Sequence, residues 1–190
     1  MRIETDRLIL REFTMDDLQD VFEYQQLPEY MELYPWINRN EDDVKSLLNM
    51  FMDWRNQLPR GRFQLAITLR GDDKVIGSCG IRRTDESELE ADIGYELAPA
   101  HWGQGIATEA ASAIVRFGFG HLDLHRISSW CIAENVRSVR VLEKLGMKLE
   151  GRLRENEHYR GRYWDTLVFG MLRSEWQQPN TVFDLHDYSP

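Results

Sequence analysis

Hydrophobic residues recur along this chain at two spacings, and each spacing predicts a different element of secondary structure. Residues 89–97 alternate between apolar and polar side chains, which is the pattern of a strand with one buried face. Comparable patterns predict strands at residues 4–13, 62–69, 74–83, 88–97, 126–131, 147–156 and 163–173. Between the second, third and fourth of these strands, Gly71-Asp72-Asp73 and Asp85-Glu86-Ser87 have the composition of turns.

Apolar residues at helical spacing predict four helices. Two of them begin where a side chain can cap the first turn: at Thr14, with Asp17 three residues later, and at Asn40. The other two span about residues 104–119 and 136–145. The apolar stripes of the second and third helices consist of Val44, Leu47, Leu48, Phe51, Ile106, Ala110, Ile114 and Phe117.

These elements indicate one domain in which α and β structure are mixed. Strands and helices do not alternate strictly, which fits the α+β class or the related three-layer α/β class. A chain of 190 residues with 42% hydrophobic residues can bury a substantial core. We expect the domain to span residues 1–176 and residues 177–190 to form a C-terminal tail, because the latter carry little periodic signal.

Charge is distributed unevenly along the chain. Residues 126–173 contain ten Lys or Arg and six Asp or Glu, which is a net charge of +4. The whole chain has a formal net charge of −9, so the remainder carries −13. The basic section can favour an anionic cofactor and the acidic remainder a cationic acceptor, but a solvated surface without either role is equally compatible. The negative total argues against general binding of nucleic acid.

Other features place the protein in a reducing compartment. Charged residues interrupt residues 1–7, so no signal peptide is expected, and no run of about eighteen apolar residues predicts a membrane span. Cys79 and Cys131 lie in apolar strands without the spacing of metal ligands, and the five His residues are dispersed. We therefore expect two buried thiols, no metal and a cytoplasmic location.

The segment with the most specific chemistry is residues 101–110, His-Trp-Gly-Gln-Gly-Ile-Ala-Thr-Glu-Ala, which joins a predicted strand to a predicted helix. Its two glycines let the backbone pass close to a ligand, and the helix that follows has unpaired N–H groups in its first turn. This arrangement suits a diphosphate. A dinucleotide-binding loop would need a glycine where Thr108 stands, and the Gly-Lys-Ser/Thr of a Walker A loop is absent.

The loop resembles the coenzyme A loop of the GNAT N-acetyltransferase superfamily. The motif of that family, Gln/Arg-x-x-Gly-x-Gly/Ala, falls on Trp102, Gly105 and Ala107, and Trp102 replaces the usual Gln or Arg. The backbone donors of the loop do not depend on that side chain.

Further motifs resemble the branch of the superfamily that acetylates ribosomal protein N-termini, the RimJ/RimL type. Residues 4–11, Glu-Thr-Asp-Arg-Leu-Ile-Leu-Arg, are similar to the first strand of that branch. Residues 135–151 contain, in order, Asn-x-x-Ser, Lys-x-Gly-Met and Glu-Gly, where the branch has Asn-x-x-Ser, Lys-x-Gly-Phe and Glu-Gly. A late strand followed by Glu175-Trp176 completes a resemblance that covers residues 2–176.

The resemblance implies the GNAT acyl-CoA N-acyltransferase fold, in which helices flank a mixed, largely antiparallel sheet of about seven strands. It also implies an enzyme that transfers the acetyl group of acetyl-CoA directly to a primary amine, here a protein N-terminal α-amine, within a ternary complex. By the same resemblance, backbone groups of Leu97 and Ala98 hold the pantetheine arm, and the Leu97 N–H faces the thioester oxygen. The other implied coenzyme A contacts are Trp102, Gly103, Gln104, Gly105, Ile106, Ala107, Thr108, Asn135 and Ser138.

Ser138 is the candidate acid that gives a proton to the departing thiolate. It lies one helical turn after Asn135, so both side chains can face the same side of the helix. The residues also allow a purely structural interpretation, in which Asn135 caps the helix and Ser138 bonds to the backbone.

The base that deprotonates the amine has three candidates. Glu157 ranks first, because the ribosomal branch has a Glu there, Glu96 ranks second and Asp92 third. Glu96 and Asp92 share one face of the strand at residues 89–97 and can act through a water. Each of the three can instead be a solvated surface acid. Tyr30, Tyr34 and Trp36 line an acceptor pocket in one interpretation and pack in the core in another.

Several alternatives stay open from the sequence. The acceptor can be a small amine, such as a polyamine, an amino acid or an antibiotic. A coenzyme A-binding sensor without catalysis, or a scaffold that binds no coenzyme A, would share many of these features. Relatives often pair, so a homodimer is also compatible with the chain.

Overall fold

The computed structural model describes residues 1–36, 38–83, 89–177 and 183–188. The helices in these residues are α1 (Leu18–Gln25), α2 (Pro28–Met31), α3 (Glu41–Arg55), α4 (Ile106–Gly120) and α5 (Val136–Lys144). The strands are β1 (Arg2–Glu4), β2 (Leu8–Glu12), β3 (Arg62–Leu69), β4 (Val75–Arg82), β5 (Glu90–Leu97), β6 (Arg126–Ile132), β7 (Lys148–Tyr159), β8 (Arg162–Leu172) and β9 (Asp184–His186).

All nine strands of the described residues form one sheet, in the order β7-β8-β6-β5-β4-β3-β2-β1-β9. Neighbouring strands run antiparallel, except for β5 and β6, which are parallel. The predicted class, a mixed and largely antiparallel sheet flanked by helices, is confirmed. Two strands more than the expected seven arise at the two ends of the chain.

The predicted first strand, residues 4–13, is wrong in extent, because the chain turns within it. The hydroxyl of buried Thr5 accepts the N–H of Leu8 at 3.1 Å, and the Thr5 N–H donates to the Leu8 carbonyl at 3.0 Å. These two bonds reverse the chain, so that Ile3 on β1 lies opposite Leu10 on β2. The local hydrogen bonds of Thr5 therefore divide the predicted single strand into two paired strands.

Part of the predicted tail also belongs to the sheet. β9 pairs with the outer edge of β1, with Leu185 opposite Ile3. Beside it, the rings of Phe183 and Tyr188 contact His121 at the end of α4, with centroids 5.9 and 6.4 Å apart. Three residues are too few to show a period, which explains the weak sequence signal.

The predicted helix starts are confirmed after Asn40 and at Val136, and the other two are adjusted. The Asn40 side chain accepts the Asp43 N–H at 2.9 Å, and the Asp43 carboxylate accepts the Asn40 N–H at 3.0 Å. After Thr14 the chain makes a single 3-10 turn, Met15–Asp17, before α1 begins. α4 begins two residues later than predicted, because Gly105 is left-handed, with φ 78°.

Helices cover both faces of the sheet. α4 buries its predicted stripe completely: Ile106, Ala110, Ile114 and Phe117 belong to the larger core cluster. On the other face α3 buries Val44 and Leu48 against Phe13 and Val21, while Leu47 stays partly exposed.

The turn at Gly71 is confirmed, with φ 85°, and the predicted turn at residues 85–87 lies outside the described residues. In the described part of the chain, no helix is both long and apolar enough to cross a membrane.

One irregularity in the sheet positions the site. β5 and β6 pair over only three residues each, from Glu90 opposite Arg126 to Asp92 opposite Ser128. Beyond this point β6 continues its pairing with β8, while β5 continues its pairing with β4. The Ser129 hydroxyl still reaches the Ile93 carbonyl at 3.0 Å, and then the two strands separate. The second half of β5 is therefore an open edge in the middle of the sheet.

Candidate active site

The gap between β5 and β6 is part of a cavity of about 360 Å³ that is lined from both helical layers. On one side it is bounded by α4 and α5, and on the other by the segment that includes Tyr30 and Tyr34. Most of the residues predicted from the sequence line it together: Glu96, Leu97, Trp102, Gly103, Gly105, Ile106, Ala107, Thr108, Asn135 and Ser138. Residues from opposite faces of the sheet thus meet at one opening.

The open edge of β5 presents backbone groups to this cavity. The N–H of Ala98 donates to the carbonyl of Ile76 on the β4 side, at 2.8 Å. Because the direction of backbone groups alternates along a strand, those of Leu97 and Tyr95 point away from β4 and into the gap. Leu97 therefore lines the cavity, whereas Ala98 has its N–H already bonded and does not line it.

Two left-handed glycines shape the loop before α4. Gly103 has φ 75° and Gly105 has φ 78°, a conformation that costs other residues about 1–2 kcal/mol. Gly105 occupies the N-cap position, where no side chain caps the helix. The N–H groups of the first turn of α4 are consequently free of a side-chain cap at the cavity wall, which is the arrangement that binds anions.

Gln104 is the one residue of the loop that turns away from the cavity. The side-chain amide of Gln104 donates to the Ala100 carbonyl at 3.0 Å, and the backbone carbonyl of Gln104 accepts from the Arg7 guanidinium at 3.0 Å. Arg7 also donates to the carboxylate of Glu109 at 2.7 Å, and the hydroxyl of Thr5 donates to the same carboxylate at 2.6 Å. The turn between β1 and β2 thereby holds the loop at residues 101–105, the candidate diphosphate loop, on the side away from the cavity.

Trp102, at the position where the coenzyme A motif has Gln or Arg, contacts both β5 and α5. Its indole N–H donates to the Leu97 carbonyl at 2.7 Å, so this donor is used within the protein. The guanidinium of Arg137, from α5, lies over the indole at 4.5 Å from the ring centroid. Arg137 lines the same cavity, together with Arg140 and Lys144 further along α5.

Ser138 lies at the opposite wall of the cavity. The Asn135 side chain caps α5 by accepting the Ser138 N–H at 3.1 Å, as the structural interpretation predicts. The Ser138 hydroxyl remains available to the cavity, and its Oγ lies 2.9 Å from the hydroxyl of Tyr95. Burial raises the pKa of the neighbouring Cys131 thiol, an effect that the Ser138 hydroxyl partly offsets. The thiol therefore stays protonated and is no nucleophile.

Tyr95 is the site residue that the sequence analysis missed. Its phenol crosses the gap from β5 to α5, where it also lies 3.1 Å from the Ser138 carbonyl. Burial raises its pKa well above the ordinary range, so the phenol stays a hydrogen-bond donor. The only sequence signal was its place in the apolar half of an alternating strand, which predicted a core residue.

Glu96 occupies the other side of the opening. Its carboxylate accepts the hydroxyls of Tyr24 at 2.6 Å and Tyr30 at 2.5 Å, and the amide of Gln25 at 3.1 Å. Burial and the adjacent charge of Glu96 raise the pKa of Tyr24 and of Tyr30, which keeps both as donors. Three hydrogen bonds therefore hold this carboxylate in one orientation at the cavity wall.

The two other candidate bases do not line the cavity. Asp92 accepts two hydrogen bonds from Arg82, at 2.5 and 2.9 Å, at the far end of β5. Glu157 is half-buried on β7 and accepts from its neighbour Asn156 at 3.3 Å. Irregular pairing of β7 with β8 just before Glu157 displaces this part of the hairpin from the regular ladder.

The hairpin of β7 and β8 nevertheless reaches the acceptor side of the cavity. The Tyr159 hydroxyl donates to the Leu33 carbonyl at 3.0 Å, and Leu33 is a lining residue. Tyr30 and Tyr34 line the cavity as one interpretation predicted, with their rings stacked at 4.8 Å. Trp36 stacks on Tyr34 at 4.3 Å and packs in the smaller core cluster. Among the described residues, no group of three His, Cys, Asp or Glu is placed to hold a metal ion.

Comparison with known proteins agrees with this geometry. The family described as the acetyltransferase (GNAT) domain matches residues 7–148. A Bacillus licheniformis protein named as the N-acetyltransferase p20 is 33% identical over 90% of this chain and 96% of its own length. The ribosomal-protein-serine acetyltransferase of Escherichia coli is 30% identical over 53% of this chain and 56% of its own length.

A solved structure gives the same result for the fold. The acetyltransferase (GNAT family) from Bacillus anthracis superimposes with a TM-score of 0.80 at 28% identity, over 92% of this chain and all of that one. The family match covers most of the described domain, including the open edge of β5, the diphosphate loop and α5. The chain therefore belongs to the GNAT family of acetyl-CoA-dependent N-acetyltransferases.

Proposed function

We propose that this enzyme acetylates the N-terminal α-amine of a protein or peptide, as enzymes of the RimJ/RimL type do. The observation that carries the proposal is the placement of Ser138 and Glu96 on opposite sides of one opening in the sheet. Such an opening lets a thioester enter from the side of α4 and α5 and an amine from the side of Tyr30. A cytoplasmic location is part of the proposal, because both cysteines are free and buried.

Acetyl-CoA is held along the open edge of β5 and the loop that follows it. Backbone groups of Leu97 and Tyr95 bond the pantetheine arm as a neighbouring strand would, and Asn135 flanks the arm from α5. The N–H groups at the start of α4 bond the diphosphate. The lining residues Gly103 and Gly105 leave room for this approach, since they have no side chains.

The protein contributes two donors to the transfer step. The amine attacks the thioester carbonyl carbon, and the Leu97 N–H stabilises the negative charge that develops on the carbonyl oxygen. As the carbon–sulfur bond breaks, the Ser138 hydroxyl donates its proton to the departing sulfur. Tyr95 holds that hydroxyl in place at 2.9 Å and can replace the proton.

Glu96 is the carboxylate that we assign to the acceptor amine, in preference to Glu157. Because three donors already occupy its oxygens, we assign it the role of holding the ammonium and ordering a water, which takes the amine proton and passes it to bulk solvent. Glu157 lies outside the cavity lining but on the hairpin that contacts Leu33, so it is the alternative. Asp92 is occupied by Arg82 and takes no part in this mechanism.

A site that deprotonates its acceptor only through a water favours an amine of low pKa, such as an α-amine. Deprotonating an α-amine with a pKa near 8 costs only about 1.4 kcal/mol at pH 7, whereas an amine with a pKa near 10.4 costs about 4.6 kcal/mol. The similarity to a protein named ribosomal-protein-serine acetyltransferase supports the same acceptor.

A small polycation is the second candidate, and one observation favours it. Glu29 and Glu32 are exposed at the acceptor side of the cavity, where they add negative charge to that of Glu96. Carboxylates in this arrangement attract amines with several positive charges. A spermidine N-acetyltransferase of Vibrio cholerae shares the fold at a TM-score of 0.74, with 23% identity.

The test begins with calorimetric titration of the protein with acetyl-CoA and with CoA. A panel of acceptors follows: peptides with free N-termini, the same peptides with blocked N-termini and an internal Lys, and spermidine. Mass spectrometry locates the acetyl group. Modification only of free N-termini supports the proposal, and a preference for spermidine replaces it with the second candidate. Binding of acetyl-CoA without transfer to any acceptor favours a non-catalytic sensor instead.

A further inference from the structure

We infer that Arg137, fixed on the indole of Trp102, binds the diphosphate of acetyl-CoA in place of the side chain that the coenzyme A motif lacks here. The inference rests on the binding of acetyl-CoA that the proposed function requires. It concerns the one position at which the loop departs from the motif, where Trp102 stands instead of Gln or Arg.

Trp102 cannot itself replace the missing side chain. Its single donor, the indole N–H, is bonded to the Leu97 carbonyl at 2.7 Å. The ring is partly buried against the larger core cluster. What the side chain offers to the cavity is therefore a flat aromatic face in a fixed orientation.

Arg137 covers that face. Its guanidinium carbon lies 4.5 Å from the ring centroid, within the range of a cation–π contact. A stacked guanidinium keeps its N–H donors at its edge, where they are free to bond an anion in a paired geometry. Arg137 is exposed, and among the described residues it forms no ion pair with a carboxylate.

The position of Arg137 in its own helix is unfavourable. It is the second residue of α5, and the first turn of this helix contains no acidic residue. A positive charge at a helix N-terminus opposes the helix dipole and slightly destabilises the helix. The contact with Trp102 offsets part of this cost, and a charge kept at an unfavourable helix position is a candidate for function.

The geometry supplies that function. Arg137 and the N-terminus of α4 line the same cavity, so a diphosphate there would meet the guanidinium on one side and backbone N–H groups on the other. Arg140 and Lys144 lie one and two turns further along α5 and line the same cavity. They extend the positive face, but Arg137 alone is placed on the Trp102 ring.

The test is titration with acetyl-CoA of the wild type and four variants: Arg137→Gln, Arg137→Lys, the control Arg55→Gln, and the double variant Trp102→Arg with Arg137→Gln. Arg55 lies at the end of α3, away from the cavity, and its substitution removes the same charge. We expect Arg137→Gln to weaken binding roughly 10- to 100-fold, the range of a lost charged hydrogen bond. Arg137→Lys should be intermediate, Arg55→Gln unchanged, and the double variant tighter than Arg137→Gln.

Three further readouts separate binding from a structural effect. The difference between wild type and Arg137→Gln should shrink as the NaCl concentration rises, because salt screens an exposed charge. Without ligand, the melting temperature of Arg137→Gln should stay close to that of the wild type, because the lost contact with Trp102 and the removed unfavourable helix charge act in opposite directions. KM for acetyl-CoA should rise while kcat at saturation stays the same.

The inference is overturned if Arg137→Gln binds acetyl-CoA within about twofold of the wild type, or if its loss of affinity is the same at all salt concentrations. Failure of the wild type to bind acetyl-CoA would instead refute the proposed function. The two failures are therefore distinguishable in one series of titrations.

Discussion

The hydroxyl of Tyr95 on β5 lies 2.9 Å from the hydroxyl of Ser138 on α5, and this contact bridges the gap where β5 and β6 separate. It couples the strand with the open edge to the helix that carries the candidate acid.

Substitution of Ser138 by Ala should lower kcat about 100-fold, since a positioned general acid typically contributes 10²–10⁴. Affinity for acetyl-CoA should change little, because the hydroxyl acts on the departing thiolate. Release of the CoA thiol measures the rate and calorimetry the affinity. Ser46→Ala, on the exposed face of α3, is the matched control. An active Ser138→Ala variant would remove the hydroxyl from the mechanism.

The variant Tyr95→Phe should lose less activity than Ser138→Ala, because it removes the support of the acid and not the acid. Burial raises the pKa of Tyr95 above its ordinary value of 10.0, so the phenol is protonated at every pH below that value. The fractional loss of kcat should therefore be constant from neutral pH to about pH 9. A loss that disappears toward higher pH would mean that the phenol titrates in this range.

Glu96→Gln and Glu157→Gln together assign the acceptor carboxylate. We expect Glu96→Gln to raise KM for the amine and lower kcat, because it removes the negative charge that lines the cavity. Glu157→Gln should have a small effect. Steady-state kinetics with the best acceptor decides between them. The reverse order of effects would transfer the role to the hairpin of β7 and β8.

Glu109 should stabilise the fold in a pH-dependent manner. Burial raises the pKa of its carboxyl, but hydrogen bonds from Thr5 and Arg7 outweigh this effect, and the net pKa lies below 4.5. Its stabilisation is thus fully present above about pH 4.5 and is lost as the pH falls through the lowered pKa. Glu109→Gln should unfold about 1–3 kcal/mol more easily at pH 7, the loss expected for charged hydrogen bonds.

Thermal unfolding of Glu109→Gln and wild type at several pH values tests this expectation. The two melting temperatures should converge as the pH falls below about 4.5. Glu23→Gln serves as control, because Glu23 pairs with Lys74 on the exposed surface and should matter little. A difference between Glu109→Gln and wild type that is equal at pH 4 and pH 7 would contradict a role for the charge.

Both thiols should resist alkylation in the folded protein. Burial raises the pKa of Cys79 to about 12 and also raises that of Cys131, so neither forms much thiolate near neutral pH. Iodoacetamide at pH 7.5 followed by mass spectrometry should find both thiols unmodified, and both modified after denaturation. Rapid labelling of native Cys131 would mean that the wall beside Ser138 opens.

Features with a local physical cause could be predicted from the sequence. The diphosphate loop needs left-handed glycines, a helix start and a buried stripe behind it, and all three lie within residues 101–120. Capping by Asn40 and Asn135 likewise depends on residues three positions apart. The family motifs have the same local character, which is why Ser138 and the loop were found.

Features that join distant segments could not be predicted. The Thr5 hydroxyl donates to the carboxylate of Glu109, which lies 104 positions further along the chain. The contact of Trp102 with Arg137 joins the loop to a helix that begins 34 residues later. In an alternating strand Tyr95 has the pattern of a core residue, and only the gap beside it makes its hydroxyl part of the site.

The three candidate bases show which features depend on the local sequence and which depend on the tertiary structure. The sequence by itself determined that carboxylates alternate along β5 and that another lies at residue 157, because strand periodicity and motif order are properties of the local chain. Only the tertiary structure decided that Glu96 lines the cavity, that Asp92 is paired with Arg82, and that Glu157 lies apart. The physical reason is that β5 and β6 separate after Asp92, and the path of two strands relative to each other depends on packing across the whole sheet.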